Sequence, residues 1–246
     1  MPNRTWIVGL LFAAVGCNSG PTDEDYDDVA ASVGALTAND SGGDVGSMDD
    51  AVAASQGEAP EGMTMSGSGS LSGERGGLQY EYELTCSNEG GDVLAACDET
   101  TDTAHLTVAW SGELDLPRYQ ATVSRTGDWT LSDLQSDTVT LNGEGTFDVD
   151  SSFTALFRDE TRTLRLSYDA SYDAVQISKA QRQPVGGTAS FAVHMERTRS
   201  RGARDVEAEF DIDAVVTFAQ DGTAHLDLDG ERSYVIHLAD GTVTAE

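Results

Sequence analysis

Lysine is nearly missing from this chain. Lys179 is the only one in 246 residues, and the 14 basic residues face 43 acidic ones for a formal charge of −29. Phosphate backbones are bound by Lys and Arg clustered over a surface, so nucleic acid is excluded as a partner. An anionic membrane would likewise repel the body of the protein. Long apolar runs are missing too: Trp6 to Val15 is well short of the roughly 20 residues a helix needs to cross a bilayer. The patterns HExxH, GxSxG and GxxxxGK[ST] do not occur, which removes the sequence signatures of zinc proteases, serine hydrolases and P-loop proteins.

What is present at the N-terminus is organised. A short stretch with one positive charge, Arg4, precedes the apolar run, and Gly16-Cys17 follows it, the three-part layout of a signal peptide. Ala14-Val15-Gly16-Cys17 resembles the lipobox of the bacterial lipoprotein class, which is an aliphatic residue, two small ones and the modified cysteine. Gly16 and Cys17 match, while Ala14 stands where leucine is usual. The resemblance implies cleavage before Cys17, a diacylglyceryl group on its thiol and an acylated amine, together enough chains for stable anchoring. Asn18, where aspartate would favour the inner membrane, implies the outer membrane. Residues 1–16 are therefore expected to be a lipoprotein signal peptide.

The remaining cysteines fit that compartment. With Cys17 lipidated, Cys86 and Cys97 form an even pair in an exported, oxidising environment, bracketing the loop CSNEGGDVLAAC between predicted strands. A disulfide there would stabilise by roughly 3 kcal/mol in the chain-entropy account. A zinc or redox pair would need close CxxC spacing or neighbouring histidines.

Between Asn18 and Arg75 the chain carries twelve acidic residues against Arg75 alone, and Tyr26 is its one aromatic. Such a segment is expected to bury too little apolar surface to offset its ordering entropy, so residues 17–76 read as a lipidated, acidic, Gly/Ser-rich disordered tether. Its DEDYDD run reads as solvated charge rather than a cation site.

From residue 77 the hydrophobic period becomes two. Tyr80, Tyr82 and Leu84 alternate with polar residues, as do Leu106, Val108 and Trp110. So do Leu164, Leu166, Tyr168, Ala170, Tyr172 and Ala174, then Phe210, Ile212, Ala214, Val216 and Phe218. Asp221-Gly222, Asp229-Gly230 and Asp240-Gly241 mark hairpins. At the second, keeping one face apolar demands a three-residue loop that pairs Leu226 with Tyr234 and Ala224 with Ile236. One helical turn is expected around Ala174 to Ala180. The fold class is all-β: residues 77–246 are an antiparallel meander of about ten to twelve strands closing as a barrel-like or strongly curved sheet, with a β-sandwich as the alternative.

Candidate chemistry is thin. His105, His194, His225 and His237 all fall on the polar face and read as scattered, and no metal or cofactor is expected. DLDGE at 227–231 lacks the ligands of a calcium loop and reads as a turn. Four arginines, Arg197, Arg199, Arg201 and Arg204, gather in ERTRSRGARD within an acidic domain. They are the candidate anion-binding residues, suited to phosphates of a cell envelope, against the plainer reading of a solvated turn. The tyrosines outside the tether sit on the apolar face, where their hydroxyls need partners or water.

The expectation is a non-enzymatic, lipid-anchored protein of the outer membrane, periplasmic or surface-exposed, with a binding or structural role. Its partners would be the membrane through the N-terminal lipid and an envelope glycolipid or another envelope protein, and the chain would be monomeric. The alternatives are a carrier of an apolar or amphipathic ligand in a barrel cavity and an envelope hydrolase.

Overall fold

The computed structural model describes residues 21–39, 43–66, 69–75, 77–116, 119–154, 160–201 and 204–246. The expected signal peptide and Cys17 lie outside them. Twelve antiparallel strands follow one another in chain order, each bonded to its neighbours in sequence. They are β1 (Met63–Met65), β2 (Ser70–Arg75), β3 (Leu78–Ser87), β4 (Thr103–Leu116), β5 (Tyr119–Ser132) and β6 (Thr138–Thr154), then β7 (Glu160–Ser178), β8 (Gln183–Arg201), β9 (Arg204–Phe218), β10 (Thr223–Leu228), β11 (Arg232–His237) and β12 (Val243–Ala245). All twelve form one open sheet with β1 and β12 at its edges, so the meander is present and the two-sheet sandwich is not.

Alternation decides which face is buried. Tyr80, Tyr82, Leu106, Trp110, Phe147, Tyr168, Ile212 and Val216 are all buried on one side, while their chain neighbours are exposed on the other. The β10–β11 hairpin has the anticipated register: Leu226 opposes Tyr234, Ala224 opposes Ile236, and Leu228 opposes Arg232 across a three-residue loop. Asp229 and Gly230 carry the left-handed backbone of that turn, at φ 55° and 67°. The disulfide between Cys86 and Cys97 is formed and closes the long β3–β4 connection.

The segment expected to be a disordered tether is folded. Helix α1 (Asp23–Thr37) starts at a capping box in which Thr22 and Asp25 each accept from the other's backbone N–H. Helix α2 (Asp44–Ser55) follows, and β1 and β2 begin the sheet before residue 77. Both helices lie on the apolar face, α1 against β10, β11 and β12 and α2 against β8. Val29, Ala30, Val33, Val45, Met48 and Ala51 enter the same core as the strands. The composition argument fails for a physical reason. Small apolar residues suffice when a twelve-stranded sheet supplies the opposing surface, and arginines far away in the chain neutralise the helix acids.

A second correction concerns residues 174–180. Residues 174–178 continue β7 rather than forming a helical turn, Lys179 and Ala180 begin the turn to β8, and the register slips between Asp173 and Gln176. Ala174, expected on the apolar face, is exposed at φ 47°, and Val175 and Ile177 take over the buried positions. This bulge presses on β8: a Cβ at Gly187, itself at φ 86°, would stand 2.2 Å from the Ala174 carbonyl oxygen.

Candidate functional site

Every described helix acid that is buried meets an arginine of the sheet. Asp25 of α1 lies 2.7 Å from Arg197 of β8, Asp50 of α2 lies 2.7 Å from Arg75 of β2, and Asp44 of α2 lies 2.6 Å from Arg125 of β5. Exposed pairs reinforce them: Asp28 with Arg197 at 3.2 Å, Asp49 with Arg182 at 2.5 Å, and Asp23 with Arg232. The DEDYDD run is thus a docking edge rather than solvated charge. Tyrosines complete it, Tyr26 donating to Asp229 and Tyr234 to Asp27, both at 2.9 Å. Burial and the Asp229 carboxylate push the Tyr26 hydroxyl up to about 12.

The innermost of these contacts is a closed polar knot. The side chains of Arg125 and Asp44 are each 1% exposed. Arg125 also donates to Tyr172 Oη at 3.1 Å and Ser47 Oγ at 3.3 Å, and its guanidinium stands over the Trp129 ring at 5.1 Å. Tyr172 in turn donates to Asp44 at 2.9 Å. Burial pushes the Asp44 carboxyl up, and the facing guanidinium opposes it. These tyrosine hydroxyls find their partners in the helices and the arginine.

The opposite face bears the groove. It encloses about 1060 Å³ and draws on seven strands, β3 to β9. Its floor follows consecutive ladder partners, Val108, Gly127, Gly145, Ala170, Phe191 and Ala214, so it runs across the strands rather than along them. At about 4.8 Å per strand that is a channel of roughly 30 Å. Six carboxylates line it: Glu81, Glu83, Asp128, Glu144, Asp169 and Asp213. Asp128 and Glu144 are direct cross-strand partners, an arrangement that costs energy when both are charged. Asp128 lies 3.6 Å from His105, whereas among the described residues the other five carboxylates make no hydrogen bond or ion pair. Thr107, Thr126, Thr146, Ser171 and Ser190 add hydroxyls, and Val215, exposed at 39%, adds an apolar spot.

Beside the groove, on β8 and β9, His194 is the most structured histidine. Its Nδ1 lies 2.8 Å from Asp211 and its Nε2 3.5 Å from Glu196. The hydrogen bond to Asp211 raises its pKa. Ligand atoms of His194, Glu196 and Glu209 lie within 4.8 Å of one another, so the trio can surround a protonated imidazole or, with neutral His194, a divalent ion. Arg165 donates to the far oxygen of Glu196 at 3.1 Å. His225 and His237 are diagonal neighbours on β10 and β11, and His225 pairs with Glu246 at 3.0 Å.

Of the residues singled out in the sequence, Cys86 and Cys97 are joined, and Cys17 is outside the described residues. The four arginines lie on β8 and β9 themselves rather than in a loop, the connection being residues 202–203 alone. Arg197 is engaged by α1, and Arg199, Arg201 and Arg204 are placed by their backbone. Arg125 went unnoticed although its signal is local: it is the charged member of the inward stripe Ala121, Val123, Arg125, Gly127, Trp129, Leu131. No family model, curated protein or solved structure matches the chain. Its class is therefore structural: an open antiparallel meander with a two-helix cover on one face and a carboxylate-lined groove on the other.

Proposed function

We propose that this is a non-enzymatic, lipid-anchored protein of the outer membrane that binds an elongated cationic ligand along the polar face of its sheet. The supporting observation is the groove, whose row of carboxylates includes five without a partner among the described residues. Self-repulsion along such a row is relieved by a ligand with several positive charges, and the flanking hydroxyls accept or donate hydrogen bonds to it. Anchoring is supported by the sequence at Ala14 to Cys17 alone.

The test has two arms. Native mass spectrometry of the exported protein, with and without Cys17→Ser, reads the acyl mass and any co-purified ligand. Calorimetric titration with spermine then reads the groove. The expected result is saturable binding that weakens about tenfold in Asp128→Asn/Glu144→Gln, roughly 1.4 kcal/mol. Equal heats from the variant and the parent would remove the groove as the binding site.

A further inference from the structure

The lining of the groove falls into two rows of outward side chains, one on either side of the floor, and each row follows the ladders from β3 to β9. One row bears Glu83, Asp128 and Glu144, then turns neutral at Ser171, Ser190 and Val215. The other bears Glu81, is neutral at Ala109, Thr126 and Thr146, and regains charge at Asp169 and Asp213. Negative charge therefore changes sides between β6 and β7. Beyond β3 no strand of the groove presents a carboxylate in both rows, and a charged wall always faces a hydroxyl or a short apolar side chain.

Along the groove the carboxylates stand on β3, β5, β6, β7 and β9, so at about 4.8 Å per strand the intervals are about 10, 5, 5 and 10 Å. Amines joined by three or four methylenes lie about 5–6 Å apart in an extended saturated chain, which matches the central intervals and, taken two at a time, the outer ones. Across the groove the two rows are two residues apart on each strand, about 7 Å. A volume of about 1060 Å³ over roughly 30 Å is a mean cross-section of about 35 Å². An extended peptide with its side chains occupies about 4.8 by 10 Å in stacked sheets, close to about 50 Å². The groove therefore admits a ligand with its charges in the main chain and is too narrow for one that carries them on side chains.

Given the cation-binding reading of the groove, on which this step rests, we infer that its ligand is an unbranched polyamine laid across the sheet from β3 to β9. The nitrogens meet the carboxylates in turn, and the methylenes lie on the floor between the two walls. Because the charged wall changes between Glu144 and Asp169, successive nitrogens turn first to one side and then to the other, which rotation about saturated bonds permits. Asp128, Glu144 and Asp169 stand on three adjacent strands and form the most closely spaced set, so a triamine occupies them first. Longer amines extend outward to Glu81 and Glu83 at one end and to Asp213 at the other.

The test is calorimetric titration of the full exported chain with spermidine, spermine and a linear hexamine. Affinity should rise about threefold with each added nitrogen, through to the hexamine. Glu144→Gln should weaken spermidine and the hexamine alike, by about threefold, whereas Asp213→Asn should weaken the hexamine and leave spermidine unchanged. Both substitutions exchange an exposed carboxylate for its isosteric amide, and an unchanged urea midpoint shows that the fold is retained. Capped hexalysine, equal in charge to the hexamine, should bind about tenfold more weakly than it. Affinity that stops rising at spermine, hexamine binding indifferent to Asp213→Asn, or hexalysine binding as tightly as the hexamine overturns the polyamine and leaves a cation groove standing. Failure of every polycation to bind removes the groove itself as a cation site.

Discussion

Asp25, Asp44, Asp50 and Arg125 are the four charged residues that are buried among the described residues, and the three aspartates belong to helices that contain no basic residue. Their neutralisation comes from the sheet, and removing one partner of the innermost pair leaves the other charge stranded. Arg125→Met should therefore lower unfolding stability by about 3–5 kcal/mol in urea titrations, and adding Asp44→Asn should recover much of the loss. His194 yields a pH prediction. Its folded pKa lies above the ordinary 6.5 because Asp211 accepts its proton, so the native state holds that proton more tightly than the unfolded chain. The contribution is complete below pH 6.5 and disappears as pH rises through the folded value. Thermal melts between mildly acidic and mildly alkaline pH should show that decline, and His194→Gln should flatten it. Residues of this kind were only partly legible in the sequence. Arg125 carried a local signal, a charge in an apolar stripe, that went unread, whereas nothing local announced Asp44 as its partner.

Helices and strands differed in how much of themselves they declared. Strand alternation is a local property, so the paired faces of β3, β4 and β9 and the β10–β11 register followed from the residues alone. The bulge at Asp173 to Gln176 shifted the phase because Gly187 lets β8 approach the Ala174 carbonyl, a contact no window of β7 contains. Helix α1 is held from afar, with Tyr26 and Asp229 separated by 203 positions. Its fit to β12 is close: a Cβ at Gly34 would stand 2.3 Å from Val243 and 2.7 Å from the Gly241 carbonyl oxygen. Gly34→Val should lift α1 from β10, β11 and β12. Amide exchange would then accelerate through Asp23–Thr37 while the middle of β4 to β8 stays protected. The disulfide acts on another connection. Replacing Cys86 and Cys97 by serine should cost roughly 3 kcal/mol in the same urea titration without moving the helices.

Across the whole molecule the two faces of one sheet have been given different work. The apolar face takes the helices and is filled by Trp129, Tyr80, Tyr82, Phe147 and Met48, all fully buried. The polar face is concave across seven strands and keeps its carboxylates largely unpaired. Its acidity was plain in the sequence. Its curvature was not, because a transverse channel depends on how neighbouring strands are rotated, which no single strand encodes. If the groove is a cation site, spermine should raise the melting temperature in proportion to the logarithm of its concentration, and the gain should shrink as salt rises.

The strict chain order of the strands also says something about time. Each strand from β2 to β12 closes against the strand made just before it, so apart from the disulfide-closed β3–β4 connection the sheet can grow by short loops whose closure entropy is small. Helix α1, although first in the chain, rests on β10, β11 and β12, the last elements to be made. Its docking must wait until the whole chain has emerged. The arrival of the last strands then fixes α1 in place, so the first helix made is the last element to settle.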